Sequence, residues 1–167
     1  MEIEPWYIIQ TDYTLIKYKT RNDLARFNKA IKFGPSERQN TGQGIHITDS
    51  RSGELIAQKV DAVFMRAQEI LDMKKRFSPV HIHLYSGPSD LNKAYESLYP
   101  GECNLRAWYS FKNNTVFLNV RDLHEGMLAH ELAHAIIDHY MTVRPPSQTA
   151  EILARYVDSH LERGFAK

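Results

Sequence analysis

Two histidines and a glutamate stand close together in the segment His130-Glu131-Leu132-Ala133-His134. Four residues are slightly more than one turn of an α-helix, so the two imidazoles are expected about 40° apart on one helix face. Imidazoles at that spacing can bind a single Zn²⁺ ion. Glu131 projects to the side, where its carboxylate reaches a metal-bound water but not the metal itself. This is the position of a general base.

The helix that this spacing requires is predicted by the residues around it. Asp122 and Glu125 have the spacing of a capping box, which predicts a helix start near Asp122, and the helical pattern continues to Tyr140. Its predicted buried face consists of Leu123, Met127, Leu128, Leu132, Ala135 and Ile136. We therefore interpret the two histidines as metal ligands. The alternative is a pair of structural histidines that are satisfied within the fold.

A catalytic zinc site needs a third protein ligand and leaves the fourth position to water. Four candidates follow the motif, namely Asp138, His139, Glu151 and His160. Asp138 is one further turn along the same helix, and His139 is about 140° round from the second histidine. Both are therefore interpreted as residues that support the ligands or the helix end.

Glu151 is the predicted third ligand because of where its helix begins. The segment Arg144-Pro145-Pro146-Ser147 predicts a turn, and a second helix is predicted from about Thr149 to His160. Two antiparallel helices joined by a short turn bring the start of the second beside the end of the first, near His134. His160 then lies half a turn round from Glu151 and further along. The alternative for Glu151 is an acidic first-turn residue favoured by the helix dipole.

These roles define a hydrolytic mechanism. A zinc ion held by His130, His134 and Glu151 lowers the pKa of its water towards neutrality. Glu131 takes the proton, the hydroxide attacks a carbonyl that the metal polarises, and Glu131 returns the proton to the leaving amine. A further donor should stabilise the oxyanion, and the sequence leaves the choice open among Tyr109, Tyr140, Arg155 and Tyr156.

Composition and charge limit the class of protein. The 167 residues are 43% hydrophobic and 25% charged, which predicts one domain over 1–167. A net charge of +1 without a basic block gives no indication of nucleic-acid binding. Neither a membrane-spanning run nor a signal peptide is recognisable, and compartment and oligomeric state stay open. The single cysteine, Cys103, is interpreted as a packing residue.

The remaining predicted elements alternate between strands and helices. In chain order they are one or two strands within 6–19, a helix opened by Thr20, a loop over 34–44, a short strand over 44–48, a helix over 56–75, a strand over 80–85, a helix ending near Tyr99, and a hairpin of 105–111 and 115–120. His81 and His83 point the same way from their strand, and we interpret them as exposed polar residues; a second metal site is the alternative.

The last strand of that hairpin ends just before the helix of the two histidines. An edge strand that runs past a zinc site can pair with a peptide through main-chain hydrogen bonds, which would bring a peptide carbonyl to the metal. This arrangement favours a peptide over a small-molecule amide as the substrate.

The motif, its apolar continuation Ala135-Ile136-Ile137 and the segment Glu151-x-Leu153-Ala154-x-Tyr156 together resemble the gluzincin metallopeptidases. The likeness is strongest to the small minigluzincin and peptidase-MA-like domains, in which a glutamate on the following helix is the third zinc ligand. The resemblance implies a small α+β zincin-like domain, with a mixed twisted sheet and backing helices, the motif helix and a following glutamate helix. It covers roughly residues 55–163, which would form the catalytic core, with residues 1–54 as an N-terminal extension. It also implies zinc-dependent hydrolysis of a peptide or protein substrate.

The chain departs from that family in two respects. Many gluzincins carry an acidic residue four positions after the glutamate ligand, where it orients a histidine, and this chain has Arg155 there. The chain also has no large C-terminal subdomain. Two other functions therefore stay open. One is a latent or catalytically weak zinc-binding regulatory or scaffold protein, and the other is an ImmA/IrrE-like peptidase that cleaves a repressor.

Overall fold

The computed structural model describes residues 5–32 and 50–161, which form a mixed sheet and helices. The strands are β1 Tyr7–Gln10, β2 Thr14–Tyr18, β3 Val80–Tyr85, β4 Ala107–Ser110 and β5 Thr115–Asn119. Their order in the sheet is β1-β2-β3-β5-β4. Strands β2, β3 and β5 are parallel, whereas β1 and β4 pair antiparallel at the two edges. The predicted mixed sheet is confirmed.

Five α-helices are present in the described residues. They are α1 Arg21–Ala30, α2 Ser50–Leu71, α3 Pro88–Leu98, α4 Glu125–Tyr140 and α5 Ser147–His160. The main core is formed by one face of the sheet with α1, α2, α4 and α5. On the other face, Leu91 of α3 packs with Trp108 and Phe117, and Cys103 packs against this cluster, which confirms its predicted role. None of the helices in these two ranges is long and apolar enough to cross a membrane.

Strand β3 has the two dissimilar faces that its alternating residues predict. Val80, Ile82 and Leu84 are fully buried against the helices. The prediction of exposed histidines on the other face is wrong, because His81 and His83 are both partly buried. The His83 ring lies 5.3 Å from the Trp6 ring and 5.5 Å from the Phe117 ring, measured between centroids. Burial in this aromatic layer, together with nearby positive charge, lowers the pKa of His83 to about 4.

The predicted capping box of the motif helix is wrong. The Asn119 side chain accepts a hydrogen bond from the Arg121 N–H, which starts a short 3₁₀ turn over Val120–Asp122, and α4 begins only at Glu125. Asp122 instead makes an ion pair of 3.0 Å with Arg106. The Glu125 carboxylate accepts a hydrogen bond from the Lys32 backbone N–H at 2.9 Å. Both acidic side chains therefore serve contacts between elements rather than the helix start.

The buried face of α4 and the start of α1 agree better with the sequence prediction than the start of α4 does. Leu128, Leu132, Ala135 and Ile136 of α4 are fully buried, as predicted, whereas Leu123 and Met127 are partly buried. Thr20 accepts a hydrogen bond from the Asp23 N–H and so caps α1, which confirms the predicted opening of that helix. Helix α2 begins and ends earlier than the predicted 56–75. The loop predicted over 34–44 and the strand predicted over 44–48 lie outside the described residues.

The predicted edge strand is also corrected by the sheet order. Strand β5, which leads towards α4, is an interior strand between β3 and β4. In the described part of the chain, strand β4, the first strand of the hairpin, pairs only with β5 and is therefore an edge strand. Of the two sheet edges, β1 and β4, the one in contact with α4 is β4.

Candidate metal centre

The candidate metal centre lies between helices α4 and α5, which run antiparallel. Residues 141–146 link them, and the prolines of this link end just where α5 starts at Ser147. Small side chains, Ala133 on α4 with Ala150 and Ala154 on α5, are buried in this region. Because small residues let two helices approach closely, polar groups on the facing edges of the helices can meet.

The two histidines of α4 meet Glu151 of α5. His130 Nε2 lies 3.1 Å from Glu151 Oε1, and His134 Nε2 lies 3.1 Å from Glu151 Oε2. The two imidazole centroids are 5.0 Å apart. One ligand atom from each of the three residues lies within 4.8 Å of the other two, the only such group of metal-ligating side chains within 5–32 and 50–161. The predicted ligands are thus brought into one cluster that could hold a metal ion.

The electrostatics of the cluster favour the ligand forms of His130 and Glu151. Burial lowers the pKa of His130, although the nearby Glu151 carboxylate opposes that effect. Burial alone would raise the pKa of Glu151, but His130 and His134 outweigh it and hold the pKa below its usual value. Neutral imidazoles and an ionised carboxylate are the forms that bind a divalent cation. The donor set of two nitrogens and one oxygen therefore fits a resident metal.

Glu131 lies next to the cluster but is not one of its three members. Burial, and then the charge of Glu151, raise the pKa of Glu131 to about 8. The backbone N–H of Tyr109 in β4 lies near this carboxylate and opposes the rise. Without a metal the side chain is therefore mostly protonated at neutral pH. A cation at the cluster would lower this pKa by its positive charge and favour the carboxylate form that a general base needs.

The cluster opens into a cleft of about 550 Å³. One wall is the edge strand and its approach, with Leu105, Ala107 and Tyr109, and the other is the α4–α5 link, with Arg144 and Pro145. His130, Glu131, His134 and Glu151 all line this cleft. The candidate metal ligands, the candidate base and the edge strand therefore line one open space.

The remaining ligand candidates lie outside the cluster. Asp138 lines the cleft, but its carboxylate accepts a hydrogen bond from Arg144 at 3.4 Å. The His139 ring stacks on Phe77 with centroids 4.5 Å apart. His160 stacks on Tyr156, and its Nδ1 lies 2.8 Å from the Tyr156 carbonyl oxygen. Each of these side chains has a partner that accounts for its position.

Of the four candidate oxyanion donors, Arg155 alone contacts a member of the cluster. Its Nε lies 3.4 Å from Glu151 Oε1. The Tyr109 hydroxyl lies 3.0 Å from Asn114 Oδ1 and 3.2 Å from His139 Nε2, so it is already hydrogen-bonded. Tyr140 and Tyr156 are exposed, and no described contact joins either to the cluster.

Asp158 is a residue of the site that the sequence analysis missed. Its Oδ2 lies 3.9 Å from His130 Nδ1. It follows Glu151 by seven residues, which is close to two helical turns and places both carboxylates on one face of α5. That spacing was a usable signal. The expected position for such an acidic residue, four residues after Glu151, is occupied by Arg155.

Comparisons of the chain with models of protein families, with curated proteins and with solved structures found no match. A functional conclusion must therefore come from the residues of the cleft and their chemistry.

Proposed function

We propose that the protein is a zinc-dependent metallopeptidase of the gluzincin kind, with a zincin-like fold. The observation that carries this proposal is the cluster of His130, His134 and Glu151, which opens beside Glu131 into a cleft bounded by an edge strand. Two imidazoles and one carboxylate are the protein ligands of several catalytic zinc sites, which leave one position for water. When bound, zinc supplies Lewis acidity and a water of lowered pKa.

Glu131 is the proposed general base. Its carboxylate lies beside the candidate metal ligands and near the Tyr109 N–H of β4. In this role Glu131 receives a proton from the attacking water and passes it to the amine of the leaving product. Of the side chains that line the cleft, it is the carboxylate that neither belongs to the three-residue cluster nor pairs with Arg144.

A peptide is the proposed substrate because β4 is an edge strand at the cleft. An extended peptide can add to such an edge through main-chain hydrogen bonds, and its carbonyl groups then lie along the strand. The exposed apolar side chains of Leu105 and Phe111, at the two ends of β4, offer contacts for side chains of that peptide. The open cleft suits an extended segment better than a compact small molecule.

The proposal is tested by digestion of a peptide library with the zinc-loaded protein, read by mass spectrometry. Glu131→Gln is the matched control, because the amide keeps the size of the side chain but cannot act as a base. We expect new peptide termini with the parent protein and a loss of at least 100-fold with the variant, at unchanged zinc content. Equal cleavage by both proteins would remove Glu131 from the mechanism. Zinc binding without cleavage would favour the regulatory alternative.

A further inference from the structure

The imidazole of His130 is contacted through both of its ring nitrogens. Nε2 faces Glu151 and the predicted metal position, whereas Nδ1 lies 3.9 Å from Asp158 Oδ2. We propose that Asp158 is a positioning residue for His130, and that Gly126 leaves the space which the Asp158 carboxylate occupies. This inference rests on the proposed metal centre and extends it by two residues.

The placement of Asp158 follows from the antiparallel helix pair. Glu151 and Asp158 are separated by seven residues on α5, or about 10 Å along the helix axis, and lie on the same face. Helix α4 runs in the opposite direction to α5, and on it Gly126 lies about two turns before His134. Glu151 therefore meets His134 and His130, while Asp158 reaches His130 and the first turn of α4.

Gly126 makes room for the Asp158 carboxylate. A Cβ atom added at Gly126 would overlap Asp158 Oδ1, and it would also lie 3.1 Å from Nδ1 of His124. The backbone at Gly126 has no left-handed φ, so the missing side chain, rather than an unusual backbone conformation, is what this position requires. Alanine is otherwise the better residue within a helix. The glycine thus costs helix stability and gives access to His130.

A carboxylate at Nδ1 has two effects on a histidine ligand. It favours the tautomer in which Nδ1 carries the proton, so that the Nε2 lone pair is directed at the metal. It also increases the basicity of Nε2 and fixes the orientation of the ring. At 3.9 Å the carboxylate lies beyond hydrogen-bonding distance of Nδ1 and acts on it through its charge, and a cation on Nε2 would strengthen the attraction because it makes the Nδ1–H more acidic.

Zinc affinity, measured by competition with a chelator, tests the role of Asp158. We expect Asp158→Ala to weaken zinc binding by about 10- to 100-fold. Asp158→Asn should lie between it and the parent, because the amide oxygen keeps a partial negative charge beside Nδ1 but the side chain carries no net charge. Asp138→Asn is the matched control. It removes one negative charge from the same cleft without touching a histidine of the cluster, and we expect a change below about threefold.

The role of Gly126 is tested by a double-mutant cycle. Gly126→Ala should weaken zinc binding in the parent by displacing the Asp158 carboxylate. In the Asp158→Ala background the same substitution should have little further effect, because the displaced group is gone. Thermal unfolding of all four proteins shows whether each is folded. Additive effects of the two substitutions would separate Gly126 from Asp158 and overturn that part of the inference.

A spectroscopic measurement separates positioning from a general loss of stability. In the zinc-loaded protein, the imidazole ¹⁵N spectrum should show His130 bound through Nε2 with a slowly exchanging Nδ1–H. Asp158→Ala should retain the Nε2 signal of any bound zinc but lose protection of the Nδ1–H. If Asp158→Ala binds zinc as tightly as the parent with the same protection, the inference falls. If the parent itself binds no zinc, the proposed metal centre falls first.

Discussion

The backbone N–H of Tyr109 on the edge strand β4 lies near the carboxylate of Glu131 on α4 and opposes the rise of its pKa. This contact joins the sheet edge, where a peptide can bind, to the side chain that we propose as the base. Because strand residues alternate in direction, the neighbouring N–H groups that point the same way are those of residues two positions apart. Helix α4, which carries the proposed base, therefore lies directly beside the proposed substrate-binding edge β4.

The proposed metal centre predicts how many zinc ions each chain binds and which candidate ligands contribute most to zinc affinity. The purified protein should bind about one zinc per chain, and Glu151→Ala should weaken zinc binding by at least 100-fold because it removes a direct ligand. His139→Ala and His160→Ala should leave the affinity within about tenfold, since their rings pack against Phe77 and Tyr156. Metal analysis with chelator competition measures both effects. No zinc after reconstitution would end the metallopeptidase proposal.

The sequence predicted the site best where the regular geometry of an α-helix determines which residues lie together. The helical spacing of His130 and His134, and the short antiparallel link to Glu151, predict the cluster that the structure contains. The start of α4 was mispredicted because Asp122 and Glu125 have the spacing of a cap but bind Arg106 and the Lys32 backbone. Those partners are distant in sequence, so no local pattern could reveal them.

The choice of edge strand was mispredicted for a similar reason. Both strands of the β4–β5 hairpin have strand-like sequences, and the hairpin alone does not determine which strand pairs with β3. That decision comes from the parallel pairing of β3 with β5, for example Ile82 with Val116, which buries the apolar residues of both strands on one face. The choice of edge strand is therefore determined by packing between elements, and the alternation of residues within each strand does not reveal it.

The raised pKa of Glu131 predicts a pH-dependent stability for the metal-free protein. Its pKa is about 8 in the folded protein and near 4.5 in the unfolded chain, so between these values the folded state binds more protons. The free energy of unfolding should therefore fall as pH rises through this window, with a contribution from Glu131 of roughly 2–4 kcal/mol. Glu131→Gln should remove that contribution. Urea unfolding of both proteins at pH 5 and pH 8, with chelator present, measures the difference.

The lowered pKa of His83 predicts that stability depends on pH with the opposite sign. Its pKa is about 4 in the folded protein and near 6.5 in the unfolded chain, so below pH 6.5 the unfolded chain binds the extra proton. The contribution of His83 to stability, up to about 3 kcal/mol, should be present above pH 6.5 and lost as the pH falls towards 4. His83→Phe should keep the stacking with Trp6 and Phe117 and remove this dependence. Urea unfolding at pH 7 and pH 5 tests it, and equal slopes for both proteins would contradict the prediction.

The proposed use of β4 by a peptide predicts the effect of a proline at Ala107. The Tyr109 N–H points out of the β4–β5 ladder towards Glu131, so the Ala107 N–H, two residues earlier, points to the same free edge. Ala107→Pro removes this donor while the pairing of Trp108 with Phe117 is retained, and edge strands tolerate proline. We expect kcat/KM for a peptide substrate to fall by roughly five- to tenfold, which corresponds to one lost hydrogen bond, with zinc affinity unchanged.

Ala107→Val, which keeps the N–H, is the matched control. Equal losses in both variants would mean that the side chain at this position, rather than the strand edge, contacts the substrate.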